Sequence, residues 1–389
     1  MNILFYLQQF PAFGGIENVT ATLARSFSEV GHSVVILSHA EKPAAEICAS
    51  LPDLVRQLKM PDQQHVVSTL NKSFLKETIE KNRVEVVIFQ DSYARLDGNL
   101  IGTLGSCRLI VCEHSSPHHV FCRANAKTLT FREVLGRIKY PFSHRLITIR
   151  QRKRRCFLYN LCDRYVLLST RFYGEFRNIT QLIDTAKLRA IPNPVDPFYE
   201  NPCPPSVANK ENVVLFAATL TPVKGVLRLL SVWKSLFQSF PEWRLLICGD
   251  GSQRLEAEEY IVKNSVKQVS LEGYQRTLRP YYERAKILAF TSTREGWGLV
   301  LNEAMQHRCI PVAFDSFSSV HDIIDDGANG FIVPAFDERA YQKRLVDLMT
   351  GVELCETMSL AAWHTSNKYK AEFVVKYWEK LFEEACCGK

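Results

Sequence analysis

The sequence lacks several features that would each point to a particular class of protein. No apolar run reaches the roughly 18 residues that a membrane-spanning helix needs, and the first basic residue is Arg25, so the N-terminus has no charged region of a signal peptide. The twelve cysteines include no Cys-x-x-Cys pair, and several of them end apolar runs, which is typical of buried thiols in a reducing compartment. We therefore expect a cytoplasmic globular protein with structural cysteines.

Acidic residues are almost missing from one segment. Residues 122–155 hold eleven lysines and arginines against one acid, Glu133, which gives the segment +10 while the whole chain carries +7. A basic amphipathic helix over 131–139 precedes a basic cluster, "RQRKRR", and this combination predicts contact with an anionic membrane surface. A solvated face or a polyanionic acceptor would be the alternative, and no nucleic-acid-binding fold signature accompanies the charge, so we expect no nucleic-acid partner. The predicted lipid-facing residues are Arg150, Arg152, Lys153, Arg154 and Arg155.

Short apolar runs alternate with helix-period stretches along the chain, which predicts parallel sheets of βαβ units. Five strands are expected before the proline-rich stretch "IPNPVDPFYENPCPPS" and six after it. Because prolines interrupt both helices and central strands, this stretch separates two domains. The predicted boundaries are 1–195 for the first domain, 196–210 for the linker, 211–367 for the second domain, and 368–389 for a helix that packs back toward the first. The apolar stripe of that helix is Phe373, Val374, Tyr377, Trp378, Leu381 and Phe382.

The stretch "TSTREGWGLVLNEAM" places two glutamates on either side of a helix start. Glu295 precedes a glycine turn, and Glu303 lies roughly 7 Å along the helix that begins after it. The unpaired N–H groups of the first helical turn suit a phosphate. The spacing therefore fits a ligand with two hydroxylated ends and an anionic middle, such as a nucleotide sugar. An amphipathic helix with a solvated Glu303 would show the same spacing.

This stretch resembles the glutamate–seven–glutamate motif of the retaining glycosyltransferases of family 4. The resemblance extends from Asn2 to about Asp337 and is strongest in the second half, where "HRCIPVAF" and "IDDGANGFIVPAFD" are similar to further motifs of that family. The linker's "IPNPVD" is similar to the family's Pro-Asn-Gly-Val-Asp, with Pro194 in the place of glycine. The resemblance implies an α/β protein with the GT-B fold, in which two Rossmann-like doubly wound domains face each other across a cleft.

The resemblance also implies a donor site in the second domain. Glu295 would contact the donor sugar, Glu303 the ribose, and Lys224 of "LTPVKGVLRLL" the diphosphate. The family has an arginine where this chain has Thr219, so a bidentate phosphate contact is missing. The paired glycines after the first strand could bind an anion or form a simple tight turn; the family's glycine loop faces the donor. The full set of expected donor-binding residues is Gly14, Gly15, Thr219, Lys224, Tyr274, Glu295, Gly296, Trp297, Gly298, Leu299, Val300 and Glu303.

His114 follows a strand in "VCEHSSPHH", where open α/β sheets bind ligands. The resemblance implies that it serves the acceptor or the reacting end of the sugar, whereas a buried, satisfied imidazole is the alternative. His118 and His119 lie nearby, but no carboxylate or thiolate is spaced to complete a metal site with them. The family is generally metal-independent, and we expect neither a metal nor another cofactor. The expected catalytic residues are His114, Lys224 and Glu295.

Together the sequence and the resemblance predict a retaining glycosyltransferase. The expected donor is a UDP- or GDP-sugar, and the expected acceptor is a hydroxyl of a saccharide or a lipid-linked intermediate in cell-surface polysaccharide or lipopolysaccharide synthesis. A peripheral position on the inner face of the cell membrane would suit such an acceptor. Two alternatives remain at this level: another GT-B enzyme, such as a sugar-nucleotide epimerase or a phosphorylase, and a non-catalytic protein that binds nucleotide sugars.

Overall fold

The chain forms two compact units, each built around one parallel β-sheet. The computed structural model describes residues 1–12, 14–41, 51–52, 54–90, 98–117 and 148–387. One unit comprises Met1–Ile191 together with Val375–Lys389, and the other comprises Pro192–Val374. The α/β class predicted from the alternation of apolar runs and helical stretches is thereby confirmed.

The first unit holds a seven-stranded sheet with the order β3-β2-β1-β4-β5-β6-β7. Neighbouring strands are parallel throughout, and the central strands are buried on both faces, which is why they read as continuous apolar runs. The strands are β1 Asn2–Gln9, β2 Ser33–Ala40, β3 Arg56–Lys59, β4 Val86–Gln90, β5 Arg108–Glu113, β6 Arg164–Leu167 and β7 Leu188–Ala190.

Helices connect these strands, as parallel pairing requires. α1 begins directly after the paired glycines and buries Val19, Leu23 and Phe27 against the sheet. The helices of this unit are α1 Gly15–Glu29, α2 Thr69–Asn82, α3 Gly98–Ile101, α4 over residues 148–161 and α5 Phe172–Thr180, with a 3₁₀ turn at Gly102–Leu104.

The second unit holds a six-stranded parallel sheet with the order β10-β9-β8-β11-β12-β13. Its strands are β8 Glu211–Ala217, β9 Arg244–Cys248, β10 Val269–Gly273, β11 Ala285–Phe290, β12 Ile310–Phe314 and β13 Phe331–Val333. Its helices are α6 Val226–Lys234, α7 Arg254–Lys263, α8 Arg279–Arg284, α9 Leu299–Gln306, α10 Val320–Ile323, α11 Glu338–Thr350 and α12 Val352–Ser366, with 3₁₀ turns at Pro197–Tyr199, Val207–Asn209 and Asn367–Tyr369.

Both sheets follow the doubly wound order. In each, the chain first builds strands to one side of the starting strand and then crosses to the other side. The crossing point lies between β1 and β4 in the first unit and between β8 and β11 in the second. Open sheets of this kind bind ligands beyond the carboxyl ends of the strands at that point, so the loops after these strands are the candidate site of each unit.

The last helix, α13 Ala371–Cys387, belongs to the first unit from Val375 onward. Trp378 and Phe382 pack edge-on against Phe27 of α1, with ring centroids 6.1 Å and 5.4 Å away. The predicted apolar stripe is wrong at two positions. Phe373 is 41% exposed and Tyr377 is 53% exposed, because the face that contacts the unit is narrower than the stripe.

Residues 196–210, expected to be a linker, pack within the second unit. Trp363 donates its indole N–H to the Asn201 carbonyl at 2.9 Å, and Tyr199 contacts the Tyr282 ring edge-on at 5.8 Å. The stretch ends at Lys210, whose ammonium is buried. It donates to the carbonyls of Tyr282 at 2.8 Å and of Ala285 at 2.9 Å, and also contacts the His307 carbonyl. One cation thus satisfies the ends of two helices at once.

Replacing Lys210 should therefore destabilise the second unit. Lys210→Met keeps an apolar stem of similar length but removes the ammonium from three carbonyls. The carbonyls of Tyr282 and Ala285 keep only the Cys309 thiol, a weak donor, at 3.1 Å and 2.9 Å, and a buried acceptor that loses its donor costs about 1–3 kcal/mol. We expect the free energy of unfolding in urea to fall by roughly 2–4 kcal/mol. Lys234→Met removes an exposed lysine of α6 and should change it by less than about 0.5 kcal/mol. Equal stability of the two variants would contradict this role.

Candidate active site

The candidate site of the second unit is formed by the loops that follow β8 and β11. Gly225 has φ 75°, and a Cβ there would lie 2.5 Å from the Thr291 carbonyl oxygen, so only glycine fits. Thr291 donates its hydroxyl to the carbonyls of Lys224 and Gly225, at 2.9 Å and 3.1 Å. The Thr293 amide donates to the Val223 carbonyl at 2.7 Å. These bonds hold the two loops together and fix the backbone of Lys224.

Lys224 and Glu295 form an ion pair across the two loops. The side chains are 28% and 13% exposed, so the pair is shielded from bulk water without being sealed from it. The two residues with the clearest sequence signals are thus in direct contact, although 71 positions separate them. A partly buried ammonium beside a carboxylate can exchange that partner for a phosphate, since both are oxyanions.

The N-terminus of α9 lies in the same loop. Gly298 has φ 86°, and a Cβ there would lie 3.1 Å from both Phe290 and Leu301. This turn starts the helix at Leu299, so the amides of Leu299 and Val300 belong to the first turn, where N–H groups lack helical partners. The Gly296 carbonyl accepts from the Ser319 hydroxyl at 2.8 Å, which anchors the loop from the other side.

Trp297 does not offer its side chain to a ligand. The indole is 3% exposed and packs edge-on against Tyr369, with ring centroids 5.3 Å apart. Apolar packing draws the indole inward, so the side chain of Trp297 anchors the loop that carries Glu295. A backbone contact of Trp297 with the donor stays a prediction. The other residues predicted to bind the donor here, Thr219 and Tyr274, are exposed in the loops after β8 and β10.

Glu303 lies on α9, partly buried, and its carboxylate accepts a hydrogen bond of 2.8 Å from the Tyr282 hydroxyl. Burial raises the pKa of Glu303 to about 7; the Tyr282 hydrogen bond acts in the opposite direction and nearby Asp196 acts in the same one. Tyr282 was not predicted from the sequence. It is one of two adjacent tyrosines in "RPYYER", and only the packing of α8 shows which one faces Glu303.

In the first unit the structure brings His114 together with Gln90. His114 directly follows β5, Gln90 ends β4, and the imidazole Nε2 contacts the Gln90 side-chain oxygen. Gln90 is fully buried, whereas His114 is partly exposed. Gly14 and Gly15 follow β1 at the same edge, and the Glu17 carboxylate of the first turn of α1 lies against Gly14. His118 and His119 lie outside the described residues.

Behind His114 lies a buried ion pair that the sequence did not reveal. Arg155 of α4 donates from Nε to both carboxylate oxygens of Glu113, at 3.0 Å and 3.1 Å, and Tyr165 donates to Glu113 at 2.8 Å. The prediction that Arg155 faces a membrane is wrong, because its side chain is 6% exposed and its charge is neutralised inside the unit. The ion pair instead joins α4 to the end of β5, one residue before His114.

The rest of the basic segment lies partly outside the described residues, which resume at residue 148. On α4, Arg150, Arg152 and Lys153 are exposed, and Arg154 is partly buried. Across the described parts of the chain, no helix is long and apolar enough to span a bilayer. The same parts contain no group of three or more His, Cys, Asp or Glu placed to hold a metal ion.

Two doubly wound parallel-sheet units are the architecture of the GT-B glycosyltransferases. Residues 201–364 match the family described as glycosyl transferases group 1, and residues 13–198 match glycosyltransferase family 4. Both family models describe glycosyltransferases, and the chain belongs to the glycosyltransferases that they define.

Curated relatives and solved structures agree with this placement. The chain is similar to the amylovoran biosynthesis glycosyltransferase AmsD of Erwinia amylovora, 28% identical over 235 residues, which are 59% of this chain and 65% of that protein. It is 24% identical to an α-1,4-N-acetylgalactosaminyltransferase of Campylobacter jejuni, over 95% of each chain. The structure of Anabaena HepE in complex with UDP and glucose superposes with a TM-score of 0.74, at 14% identity, over 99% of this chain and 100% of that one.

The raised pKa of Glu303 predicts a stability cost. A carboxyl group whose pKa rises from 4.5 to about 7 on folding binds its proton more tightly in the folded state. The cost is therefore absent below about pH 4.5, grows as the pH rises toward 7, and is complete above it. Glu303→Gln removes the charge and keeps an acceptor for Tyr282. At pH 8 it should raise the free energy of unfolding by up to about 3 kcal/mol.

Urea unfolding of wild type and Glu303→Gln at pH 5 and pH 8 measures this cost. We expect a clear gain in stability at pH 8 and a much smaller one at pH 5. A variant that is destabilised to the same degree at both pH values would contradict a raised pKa of Glu303 in the folded state.

Proposed function

We propose that the protein transfers a sugar, with retention at the anomeric carbon, from a UDP- or GDP-sugar to a hydroxyl acceptor. The acceptor class would be a saccharide or a lipid-linked intermediate in the synthesis of a cell-surface glycan. The observation that carries the proposal is the contact between Lys224 and Glu295 at the switch point of the second sheet, with Glu303 on the helix that begins there.

Each of the three charged side chains would contact a different part of a nucleotide sugar. The diphosphate would pair with the Lys224 ammonium and accept hydrogen bonds from the amides of Leu299 and Val300. The ammonium is a full positive charge, and the amides of the first helical turn carry partial positive charge, so both attract an oxyanion. Lys224 would then leave Glu295, whose carboxylate becomes an acceptor for sugar hydroxyls. Glu303 would accept from the ribose hydroxyls. The exposed side chain at Thr219 contributes at most one neutral hydrogen bond where the family has an arginine.

The proposed reaction needs no protein nucleophile. The bond between the anomeric carbon and the diphosphate oxygen breaks while a bond from the acceptor oxygen forms on the same face of the sugar. The acceptor proton passes to the departing diphosphate oxygen, so atoms and charges balance. Lys224 would stabilise the charge that develops on this leaving group, which is where a fixed cation lowers the barrier.

The first unit would provide the acceptor side. His114 and Gln90 offer a nitrogen and an amide at the carboxyl edge of the first sheet, where a hydroxyl could be oriented. The Campylobacter relative carries an undecaprenol-diphosphate saccharide in its name, and AmsD is named for the synthesis of amylovoran. Both names support a cell-surface glycan as the product.

We also propose that α4 holds the protein on an anionic membrane, on the cytoplasmic side. Ile149, Phe157 and Leu161 lie at multiples of four residues on one face of this helix and are 39–43% exposed. Arg150, Arg152 and Lys153 are exposed on the same helix, and its sequence contains no acid. A solvated helix face normally mixes charges and carries few large apolar side chains, whereas lipid binding uses both features present here.

Turnover should depend on the Lys224 ammonium. Lys224→Ala is expected to lower kcat by roughly 10²–10³, as the loss of one contact to developing charge does. Release of the nucleoside diphosphate from a nucleotide sugar, with a membrane extract as the acceptor source, measures this. Lys263→Ala, which removes an exposed lysine of α7, is the matched control. Wild-type turnover in Lys224→Ala would remove Lys224 from the proposed site.

His114 should affect transfer without affecting the nucleotide. His114→Ala is expected to lower kcat while UDP affinity stays within about twofold, since the imidazole lies in the first unit and the nucleotide is assigned to the second. Calorimetry with UDP and steady-state kinetics separate the two quantities. Full activity of a folded His114→Ala protein would favour the alternative that His114 only packs against Gln90.

Membrane attachment should depend on charge and weaken with salt. Each exposed cation near an anionic surface contributes about 1 kcal/mol, so changing Arg150, Arg152 and Lys153 to Ser should weaken binding by roughly 100-fold. Co-sedimentation with phosphatidylglycerol and phosphatidylcholine vesicles at 0.1 M and 1 M salt measures it. The matched control changes three exposed lysines of the second unit, Lys234, Lys263 and Lys267, to Ser. Equal binding to both kinds of vesicle would contradict the proposal.

A further inference from the structure

The Glu303 carboxylate has a protein partner that the proposed ribose contact leaves in place. Tyr282 donates its hydroxyl to Oε2 of Glu303 at 2.8 Å. A carboxylate has about four lone-pair positions. With one of them taken by Tyr282, the others can accept from the two hydroxyls of a vicinal diol.

The Tyr282 side chain is held in place by burial and by contacts with two other rings. The residue is fully buried, its ring lies edge-on to Tyr199 at 5.8 Å, and it stacks on the His307 ring at 5.9 Å. Its carbonyl accepts from the Lys210 ammonium at 2.8 Å, which ties down the end of α8. A tyrosine held at both the backbone and the ring has little freedom to move its hydroxyl away from Glu303.

We propose that Tyr282 is a positioning residue that fixes one oxygen of Glu303 and favours the ionised form of the group, so that its remaining lone pairs accept from the ribose diol. This inference rests on the proposed function for the identity of the ligand, but not for the state of Glu303. Tyr282 itself would touch no part of the donor, and it would act only through the carboxylate.

Charged groups near Glu303 do not supply a cation in place of Tyr282. From the segment before β8, Asp196 raises the pKa of Glu303, and burial with Glu303 nearby raises the pKa of Tyr199, which stays neutral. From the end of α9, His307 is neutral near pH 7, because burial lowers its pKa to about 4. From α8, Tyr282 offers a neutral donor. The hydroxyl of Tyr282 is thus the group here that favours the ionised form.

The consequence is a donor affinity that rises with pH through the neutral range. Burial raises the pKa of Glu303 to about 7, and the Tyr282 hydrogen bond lowers it. A charged acceptor binds hydroxyls more strongly than a neutral one. Below pH 7 the protonated carboxyl would bind the diol weakly, and above pH 7 the carboxylate would bind it fully. Removing the Tyr282 hydroxyl should move this transition to higher pH.

The test compares Tyr282→Phe with Tyr341→Phe. Both replace a fully buried tyrosine of the second unit that donates one hydrogen bond, in the second case to the Val312 carbonyl at 2.7 Å. The control therefore suffers a similar loss of stability without touching Glu303. Two quantities are measured from pH 6 to 9: the Glu303 carboxyl ¹³C shift in glutamate-labelled protein, assigned with Glu303→Gln, and the dissociation constants of UDP-glucose and UDP-N-acetylglucosamine.

We expect Glu303 to titrate at a higher pH in Tyr282→Phe and at the wild-type pH in Tyr341→Phe. The affinity of Tyr282→Phe for the UDP-sugar should fall about tenfold at pH 7 and recover most of this loss at pH 9. An unchanged Glu303 titration in Tyr282→Phe would overturn the inference while leaving the proposed function intact. If the Glu303 titration shifts in Tyr282→Phe but the wild-type protein binds neither sugar nucleotide, the role of Tyr282 would be supported and the proposed UDP-sugar donor would be contradicted.

Discussion

The candidate site of the second unit depends on one interaction, the ion pair between Lys224 and Glu295. It joins the loops after β8 and β11, which the strand order places side by side at the point where the sheet reverses direction. Hydrogen bonds from the Thr291 hydroxyl and the Thr293 amide keep the loops at this distance, and Gly225 allows the close approach. A cation and a carboxylate that pair with each other in the absence of ligand can exchange that contact for a ligand, the cation binding its anionic group and the carboxylate its hydroxyls.

The site also carries costs that the rest of the second unit offsets. Glu303 is buried enough to resist ionisation, and Thr219 is uncharged where the family pattern has an arginine. Behind the site, Lys210 closes the ends of α8 and α9 with a buried ammonium, and the Tyr199, Tyr282 and His307 rings pack into one cluster. These contacts fix the surroundings of Glu303. A group whose burial disfavours its charged form persists only where its surroundings hold it in place.

Much of this could be predicted from the sequence, and the failures have two physical causes. The central strands are continuous apolar runs and were located correctly, whereas β3 Arg56–Lys59 and β7 Leu188–Ala190 were not found, because short edge strands are half solvated and carry a weak pattern. Glu295 and Glu303 stand at a recognisable spacing. Arg155 was misassigned because its partner Glu113 is 42 residues away, and Tyr282 was missed for the same reason: contacts made only by tertiary packing leave no local signal.

The central claim is that a nucleotide diphosphate-sugar replaces the Lys224–Glu295 contact at the carboxyl edge of the second sheet. A crystal structure of the protein with a bound UDP- or GDP-sugar tests it most directly. We expect the Lys224 ammonium within about 3 Å of a diphosphate oxygen, a distance normal for charge-assisted hydrogen bonds, with Glu295 turned to the sugar hydroxyls and Glu303 to the ribose. A bound nucleotide with the Lys224–Glu295 pair intact and Glu303 uninvolved would contradict it.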